Sequence, residues 1–255
     1  MQNLLGALWL VQTFNERSIF DVEALLKEYL LEEDAEKNVK HPRRIGVYWP
    51  SQVWDCLRKV YYEYTLKEPA TEETIRFGAL GNVLHEYVAR ILKSVSEKYG
   101  GYTVQNEVEV KIEHPNLDGV TISGRVDDLI LIEWSKEKDA PKHSKILIEV
   151  KTLAKLSSKE NHNLPRFEHI CQLNTYLSLY PDAQGILLYI SRSNLDTRVF
   201  TLEFDKQLYE KTLKRVEEVH RYLSSGVLPP AEAKISKNER WRCMHCQYAE
   251  VCKSS

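Results

Sequence analysis

The sequence has no apolar run near the roughly 20 residues that a membrane-spanning helix needs. Its first residues, MQNLLGALWLVQTF, are hydrophobic enough for a signal peptide, but they lack a basic segment before them and an A-x-A cleavage site after them. We interpret this stretch as a structural helix and expect a cytoplasmic protein without membrane contact. Internal repeats and low-complexity segments are also absent, which indicates an ordinary globular chain.

The sequence also lacks a large excess of charge of either sign. It has 35 Lys and Arg residues against 37 Asp and Glu residues, a formal net charge of -2. This balance excludes a globally basic polyelectrolyte, so binding to nucleic acid would have to use local patches such as HPRR at 41–44. Net charge therefore neither requires nor excludes DNA as a partner.

Cysteine is scarce, with five residues in a chain of 255. In a protein expected in the cytoplasm, so few thiols suggest a bound cofactor more than disulfides. Hydrophobic residues make up 43% and charged residues 28% of the chain, enough to bury a substantial core. Composition thus favours one α/β domain with a small appended lobe.

Hydrophobic periodicity predicts alternating groups of helices and strands. The predicted helices cover 50–66, 71–99, 165–180 and 206–223. The predicted strands cover 102–112, 120–133, 145–152, 184–191 and 197–204, and the first three are expected to form a meander. This order predicts a mixed sheet flanked by helices.

The strand KILIEVKTL carries opposite charges at Glu149 and Lys151 within an apolar run. Side chains alternate along a strand, so these two share one face while Ile146, Ile148 and Val150 share the other. The charged face is then either a chemical site or a solvated surface with a salt bridge, and the strand alone leaves both interpretations open.

Other polar residues interrupt the predicted apolar elements in a recurring order. They are His85 on a helix, Gly124 and Asp127 in a G-x-x-D strand, Glu149 and Lys151 in an E-x-K strand, and Gln172 and Tyr176 on a Q-x-x-x-Y helix. This ordered set resembles the RecB-like branch of the PD-(D/E)XK nuclease superfamily. The resemblance implies a restriction-endonuclease-like fold.

The resemblance also implies roles for these residues. Asp127 and Glu149 would hold Mn²⁺ or Mg²⁺ through oxygen, with the Val150 backbone carbonyl and His85 completing the ligand set. Lys151 would orient or deprotonate the attacking water and offset charge on the phosphate. The resemblance further implies that the Q-x-x-x-Y helix supports the site or its nucleic acid.

Each of these residues also has a simpler interpretation. His85 adjoins an apolar helix stripe and would fit as a histidine at the edge of the core. Asp128 is an alternative ligand to Asp127, but strand alternation predicts that only one of them points inward, and the G-x-x-D spacing selects Asp127. Gln172 and Tyr176 share a helix face and would also fit plain helix packing.

Three cysteines lie close together in WRCMHCQYAEVC, at Cys243, Cys246 and Cys252, and Cys56 lies far upstream. This pattern resembles the CRISPR-associated Cas-4-type exonucleases and implies an iron-sulfur cluster on these four thiolates, 4Fe-4S first and 2Fe-2S as the alternative. Spacing alone does not separate a cluster from structural zinc. We interpret Cys171 as a small buried hydrophobic residue.

The resemblance spans about 47–252 and implies a metal-dependent DNA exonuclease acting on single strands or overhangs, 5′ to 3′. Its expected role is prespacer processing in CRISPR spacer acquisition, with the CRISPR integrase as a partner and an oligomer as one solution state. The alternatives are a RecB-like nuclease of repair or viral origin and a noncatalytic DNA-binding module. A G-x-x-x-x-G-K-[ST] motif is absent, which argues against a fused helicase.

We divide the chain into three parts on these grounds. Residues 1–46 are expected to form an N-terminal helical extension, and 47–228 the nuclease core. Residues 229–255 are expected to form the C-terminal segment of an iron-sulfur lobe that also includes Cys56.

Overall fold

The computed structural model describes residues 21–66, 68–133, 143–156, 163–236, 239–244 and 246–254. The helix expected at the very N-terminus lies outside these residues. None of the described helices is long and apolar enough to cross a membrane.

Helices flank the sheet before, between and after its strands. In chain order they are α1 (Val22–Lys40), α2 (Pro50–Val53), α3 (Leu57–Thr65), α4 (Glu72–Tyr99), α5 (Phe167–Leu177), α6 (Lys206–Ser225), α7 (Glu232–Ile235), α8 (Trp241–Met244) and α9 (Ala249–Lys253). The strands are β1 (Val47–Tyr48), β2 (Tyr102–Glu113), β3 (Thr121–Ile132), β4 (Lys145–Leu153), β5 (Gln184–Ser191) and β6 (Thr197–Leu202). The prediction of an α/β fold with a mixed sheet flanked by helices is confirmed.

The long helix α4 begins and ends where its sequence predicts. The Thr71 side chain accepts a hydrogen bond from the Thr74 N–H and caps the helix, and Gly100 ends it at a positive φ of 67°. Its predicted apolar stripe is wider than the face that packs, because only Leu84 and Val88 are buried.

The segment predicted as one helix over 50–66 is two helices, α2 and α3. The break falls at 54–56, where Cys56 has the extended backbone angles φ -55° and ψ 124°. The N–H of Leu57 at the start of α3 donates to Glu232 Oε2 at 2.9 Å. A carboxylate from α7, distant in sequence, therefore caps the second helix, and periodicity in the segment itself gives no signal of this contact.

The strands β2, β3 and β4 form the predicted antiparallel meander, β5 joins β4 in parallel, and β6 is antiparallel to β5. β1 pairs in parallel with the first residues of β3. Two residues are too few to produce a recognisable alternation, so sequence periodicity does not find β1.

β3 and β4 separate halfway along the sheet. Their pairing runs to Asp128 opposite Ile148 and ends there, while β4 continues beside β5 from Glu149 to Leu153. The larger core cluster packs under α2, α3, α5 and α6, and the smaller one lies between α4 and the other face of the sheet. The point of separation lies between these two packed layers.

Candidate active site

Asp127 lies at the point where β3 leaves β4. Its Oδ2 accepts a hydrogen bond from the Val150 N–H at 2.7 Å. A side-chain oxygen of one strand thus takes the place of a backbone carbonyl as the acceptor for the next strand. The separation of the strands therefore fixes this carboxylate beside the first residues of β4 that no longer pair with β3.

Glu149, Lys151 and Gln172 form a closed hydrogen-bonded group. Glu149 Oε1 accepts from Lys151 Nζ and from Gln172 Nε2, each at 2.7 Å, and Lys151 Nζ also donates to Gln172 Oε1 at 2.8 Å. Gln172 on α5 thereby holds both charged side chains of β4. The residues predicted from two separate motifs meet in one place.

The interpretation of this strand face as a solvated surface is wrong, because Glu149 is only 2% exposed. Both faces of β4 pack in the core. Leu147 and Leu153 share the face of Glu149 and belong to the larger core cluster, since α5 and its neighbours cover this face. Glu149 and Lys151 do form a salt bridge, but it lies inside the protein.

Burial changes the acidity of Glu149. Loss of solvent and the negative charge of Asp127 raise its pKa to about 7, and Lys151 opposes the shift. A buried ion pair is often no more stabilising than an apolar pair of similar volume. Fold stability alone is therefore a weak reason for charges at these positions.

Gly124 and Tyr176 connect the G-x-x-D strand to the Q-x-x-x-Y helix. Gln172 Nε2 donates to Tyr176 Oη at 3.3 Å, and a Cβ atom at Gly124 would lie 2.7 Å from that same oxygen. Only glycine leaves room for the tyrosine hydroxyl without displacement. Burial and the charge of Glu149 raise the pKa of Tyr176, so its hydroxyl stays protonated.

His85 reaches the site from α4. Its Nδ1 lies 3.3 Å from Asp127 Oδ1, and its side chain is 26% exposed. Burial alone would lower the pKa of His85, but the hydrogen bond and charge of Asp127 outweigh this effect and raise it. His85 lies at the edge of the core, as its simpler interpretation predicts, and it also contacts the proposed ligand Asp127.

The prediction that only one of Asp127 and Asp128 points inward is wrong. Asp128 is 1% exposed, its carboxylate accepts a hydrogen bond from Asn106 Nδ2, and burial raises its pKa to about 6. Asp127, rather than Asp128, contacts His85 and the Val150 N–H. The selection of Asp127 by the G-x-x-D spacing agrees with this geometry.

The cause is a shift in side-chain alternation along β3. Val126 and Leu129 are an odd number of residues apart, yet both pack in the larger core cluster. On the neighbouring strand Glu107 has a positive φ of 51° and interrupts the pairing between its two flanking residues. The register of the two strands is the same on both sides of Glu107, so the irregularity is local and inserts no extra residue.

The donor atoms suit a hard divalent cation. Carboxylate oxygens come from Asp127 and Glu149, and Glu149 Oε2 is buried with no hydrogen-bond partner among the described residues. Within the same part of the chain, no group of three or more His, Cys, Asp or Glu side chains is arranged as a metal-ion site. The other carboxylate oxygens already have partners: Glu149 Oε1 contacts Lys151 and Gln172, and Asp127 contacts His85 and the Val150 N–H.

The four predicted cluster ligands lie around one cavity of about 340 Å³. Cys56 comes from the break between α2 and α3, and Cys243, Cys246 and Cys252 come from the C-terminal segment. Burial and the neighbouring thiols of Cys56 and Cys252 raise the pKa of Cys243. Cys171 is fully buried in α5 away from this lining, and burial raises the pKa of its thiol to about 12.

Basic side chains outnumber acidic ones around this cysteine cavity. Asp55 and Glu168 supply the carboxylates, and the cations are Arg58, Lys59, Lys234, Arg242 and Lys253. Positive charge favours the thiolate form that binds metal. Four cysteines and five basic side chains thus line one cavity, although burial still raises the pKa of the Cys243 and Cys246 thiols.

Comparisons with known proteins agree with the geometry. The PD-(D/E)XK nuclease superfamily matches residues 86–253. The CRISPR-associated exonuclease Cas4 of Saccharolobus solfataricus is 28% identical over 231 residues, which cover 89% of this chain and 98% of that protein. The crystal structure of SSO0001 superposes with a TM-score of 0.62 at 26% identity, covering 89% of this chain and 96% of that one.

Proposed function

The chain belongs to the PD-(D/E)XK nuclease superfamily and is a nuclease, and from that premise we propose that it is a divalent-metal-dependent DNA exonuclease. Its proposed substrates are single strands and overhangs, degraded from 5′ to 3′. The observation that carries this proposal is the meeting of Asp127, Glu149 and Lys151 where β3 and β4 separate. Family membership favours catalysis over a purely DNA-binding role.

The active-site cation is proposed to be Mn²⁺ or Mg²⁺. Asp127 and Glu149 would hold it, with His85 and the Val150 backbone carbonyl as further ligands. When bound, the cation would polarise the scissile phosphate and lower the pKa of the attacking water. The buried Glu149 Oε2, which has no hydrogen-bond partner among the described residues, supports this assignment.

Lys151 has the task of proton transfer and charge stabilisation. Its side chain is 19% exposed, and its ammonium donates to Glu149 and Gln172, so it points into the site with little freedom. A fixed cation beside the scissile phosphate stabilises the additional negative charge of the transition state. Gln172 orients both charged side chains, and Tyr176 supports Gln172 from α5.

The cysteine cavity is proposed to hold an iron-sulfur cluster on Cys56, Cys243, Cys246 and Cys252, 4Fe-4S rather than 2Fe-2S. The four thiols line one cavity of about 340 Å³. The resemblance of the cysteine pattern to Cas-4-type exonucleases supports a cluster over structural zinc, which uses the same thiolate ligands.

We assign the nuclease to CRISPR spacer acquisition, where it would trim prespacers before integration. Similarity to a CRISPR-associated exonuclease over 98% of that protein's length supports this pathway. The CRISPR integrase is the proposed partner, the cytoplasm is the proposed location, and an oligomer is one proposed solution state. DNA repair or a viral origin is the alternative pathway.

The division of the chain into three parts is also a proposal. Residues 1–46 would be a helical extension, 47–228 the core, and 229–255 the lobe that closes over Cys56. Helix α1 has no buried residue, which is consistent with an extension outside the core.

Degradation of end-labelled DNA tests the proposal. With Mn²⁺ or Mg²⁺ the protein should shorten single-stranded DNA, and separate 5′ and 3′ labels report the direction of cutting. Intact duplex with blunt ends is the matched control. Failure to cut any single strand or overhang with either cation would refute the proposed activity.

A further inference from the structure

Arg242 joins three separate segments through its guanidinium group. Its Nη1 lies 3.3 Å from Asp55 Oδ1, its Nη2 lies 3.4 Å from Glu168 Oε2, and its Nε lies against the Glu239 carboxylate. Asp55 precedes the ligand Cys56, and Glu168 is in the first turn of α5. The residue next to Cys243 therefore contacts the helix that enters the active site.

A second contact joins the same two segments. The guanidinium carbon of Arg166, at the N-cap of α5, lies 5.5 Å from the centre of the Trp241 ring. The Arg166 N–H donates to Tyr189 Oη at 3.0 Å, and Tyr189 pairs in register with Lys151. Two consecutive residues of the C-terminal segment, Trp241 and Arg242, thus contact the start of α5.

Helix α5 carries this contact to the catalytic group. Glu168 and Gln172 are four residues apart, so they lie on the same helix face about 6 Å apart along the axis. Gln172 contacts both Glu149 and Lys151 through its amide. A shift at the first turn of α5 would therefore move the side chain that orients the charged pair.

We propose that Arg242 is a positioning residue for the nuclease site, acting through its ion pair with Glu168. The pair holds the first turn of α5, and α5 holds Gln172 against Glu149 and Lys151. This inference rests on the nuclease site proposed above. It makes the cysteine-bearing segment a support for catalysis as well as for the fold.

The burial and the geometry of the Arg242–Glu168 ion pair favour a role in positioning. The side chains of Arg242 and Glu168 are 20% and 19% exposed, so solvent and salt screen their attraction less than that of a surface pair. A planar guanidinium can meet three carboxylates from fixed directions, whereas a lysine ammonium offers a single point charge. Arg242→Lys should therefore restore the function of Arg242 only in part.

The test compares Arg242→Ala, Glu168→Gln, their double variant, and Glu239→Gln as the matched control. Glu239 contacts the same guanidinium but belongs to the C-terminal segment. We expect Arg242→Ala and Glu168→Gln to lower kcat on single-stranded DNA by roughly 10- to 100-fold, since small misplacements of reacting groups have effects of this size. KM should stay unchanged, and the double variant should be no slower than either single one.

Two further measurements separate positioning from general damage. The metal content per chain shows whether the cysteine cavity keeps its occupant, and the thermal midpoint reports the fold. If Arg242→Ala loses metal, the kcat of Glu168→Gln tests the positioning role instead, because this variant keeps the guanidinium and the shape of residue 168. Glu239→Gln should keep the wild-type kcat.

Equal losses in Glu239→Gln and Glu168→Gln would overturn the inference, because Arg242 would then only anchor its own segment. Wild-type kcat in Arg242→Ala and Glu168→Gln would overturn it as well. Glu149→Gln identifies failure of the underlying site: if that variant also cuts at the wild-type rate, the proposed nuclease site is wrong. If Glu149→Gln lowers kcat while Arg242→Ala and Glu168→Gln keep the wild-type kcat, only the positioning role of Arg242 is refuted.

Discussion

The hydroxyl oxygen of Tyr176 lies 2.7 Å from the place where a Cβ atom on residue 124 would be. The same tyrosine accepts a hydrogen bond from Gln172, which orients Glu149 and Lys151. The absence of a β-carbon at residue 124 is therefore a condition for the placement of the proposed catalytic group. The first prediction follows from this contact.

Gly124→Ala should destabilise the protein by about 1–3 kcal/mol, because an added methyl group in a packed site forces its neighbours to move. It should also slow cleavage, since Tyr176 and then Gln172 must shift. Chemical denaturation and single-turnover cleavage measure the two effects. Combining Gly124→Ala with Tyr176→Phe removes the hydroxyl and should recover part of the lost stability; no recovery would show that the contact is not the cause.

Nuclease activity should require Mn²⁺ or Mg²⁺ and should disappear in excess chelator, because carboxylate oxygens prefer hard cations. Asp127→Asn and Glu149→Gln should bind Mn²⁺ more weakly in calorimetric titration. Asp128→Asn is the matched control, because Asp128 is buried beside Asp127 but is held by Asn106. Cleavage that persists unchanged in chelator would contradict this prediction.

Anaerobically purified protein should be brown and contain iron. Replacing Cys56, Cys243, Cys246 or Cys252 by Ser should remove the colour and lower the thermal midpoint, because metal binding joins distant segments and contributes to folding. Cys171→Ser should keep the colour, since this thiol lies in α5 outside the cavity lining. Stoichiometric zinc in a colourless preparation would contradict the cluster assignment.

Most of the fold could be predicted from local sequence patterns. The helix α4 and the strands β2 to β6 follow hydrophobic periodicity and lie within a few residues of their predicted bounds. The break between α2 and α3 could not be predicted, because it is associated with a contact between Leu57 and Glu232. Such a contact exists only after the chain has folded.

The candidate site was predictable as a set of residue types, and its geometry was not. Motif order identified Asp127, Glu149, Lys151 and Gln172, and the structure brings them together. The burial of Asp128 accompanies an irregularity in the neighbouring strand at Glu107, the residue after its partner Asn106. The alternation rule treats a strand as regular and therefore missed it.

Arg242 gave no signal of its contacts in the sequence beyond its position next to Cys243. Its partner Glu239 lies three residues before it, but no spacing rule connects Arg242 to Asp55 or Glu168. Ion pairs between distant segments are set by tertiary packing. The sequence therefore shows which residues are charged but not which of them pair.

The cleavage rate of Lys151→Ala on end-labelled single-stranded DNA tests the central claim most directly. The account predicts a fall of roughly a hundredfold or more with DNA binding and fold retained, the size expected for loss of a general base or electrostatic stabiliser. Adding Glu149→Ala should then reduce the rate little further, because residues that act as one unit are not additive. A wild-type rate for Lys151→Ala would contradict the account and leave the 2.7 Å contact between Glu149 and Lys151 as a structural salt bridge only.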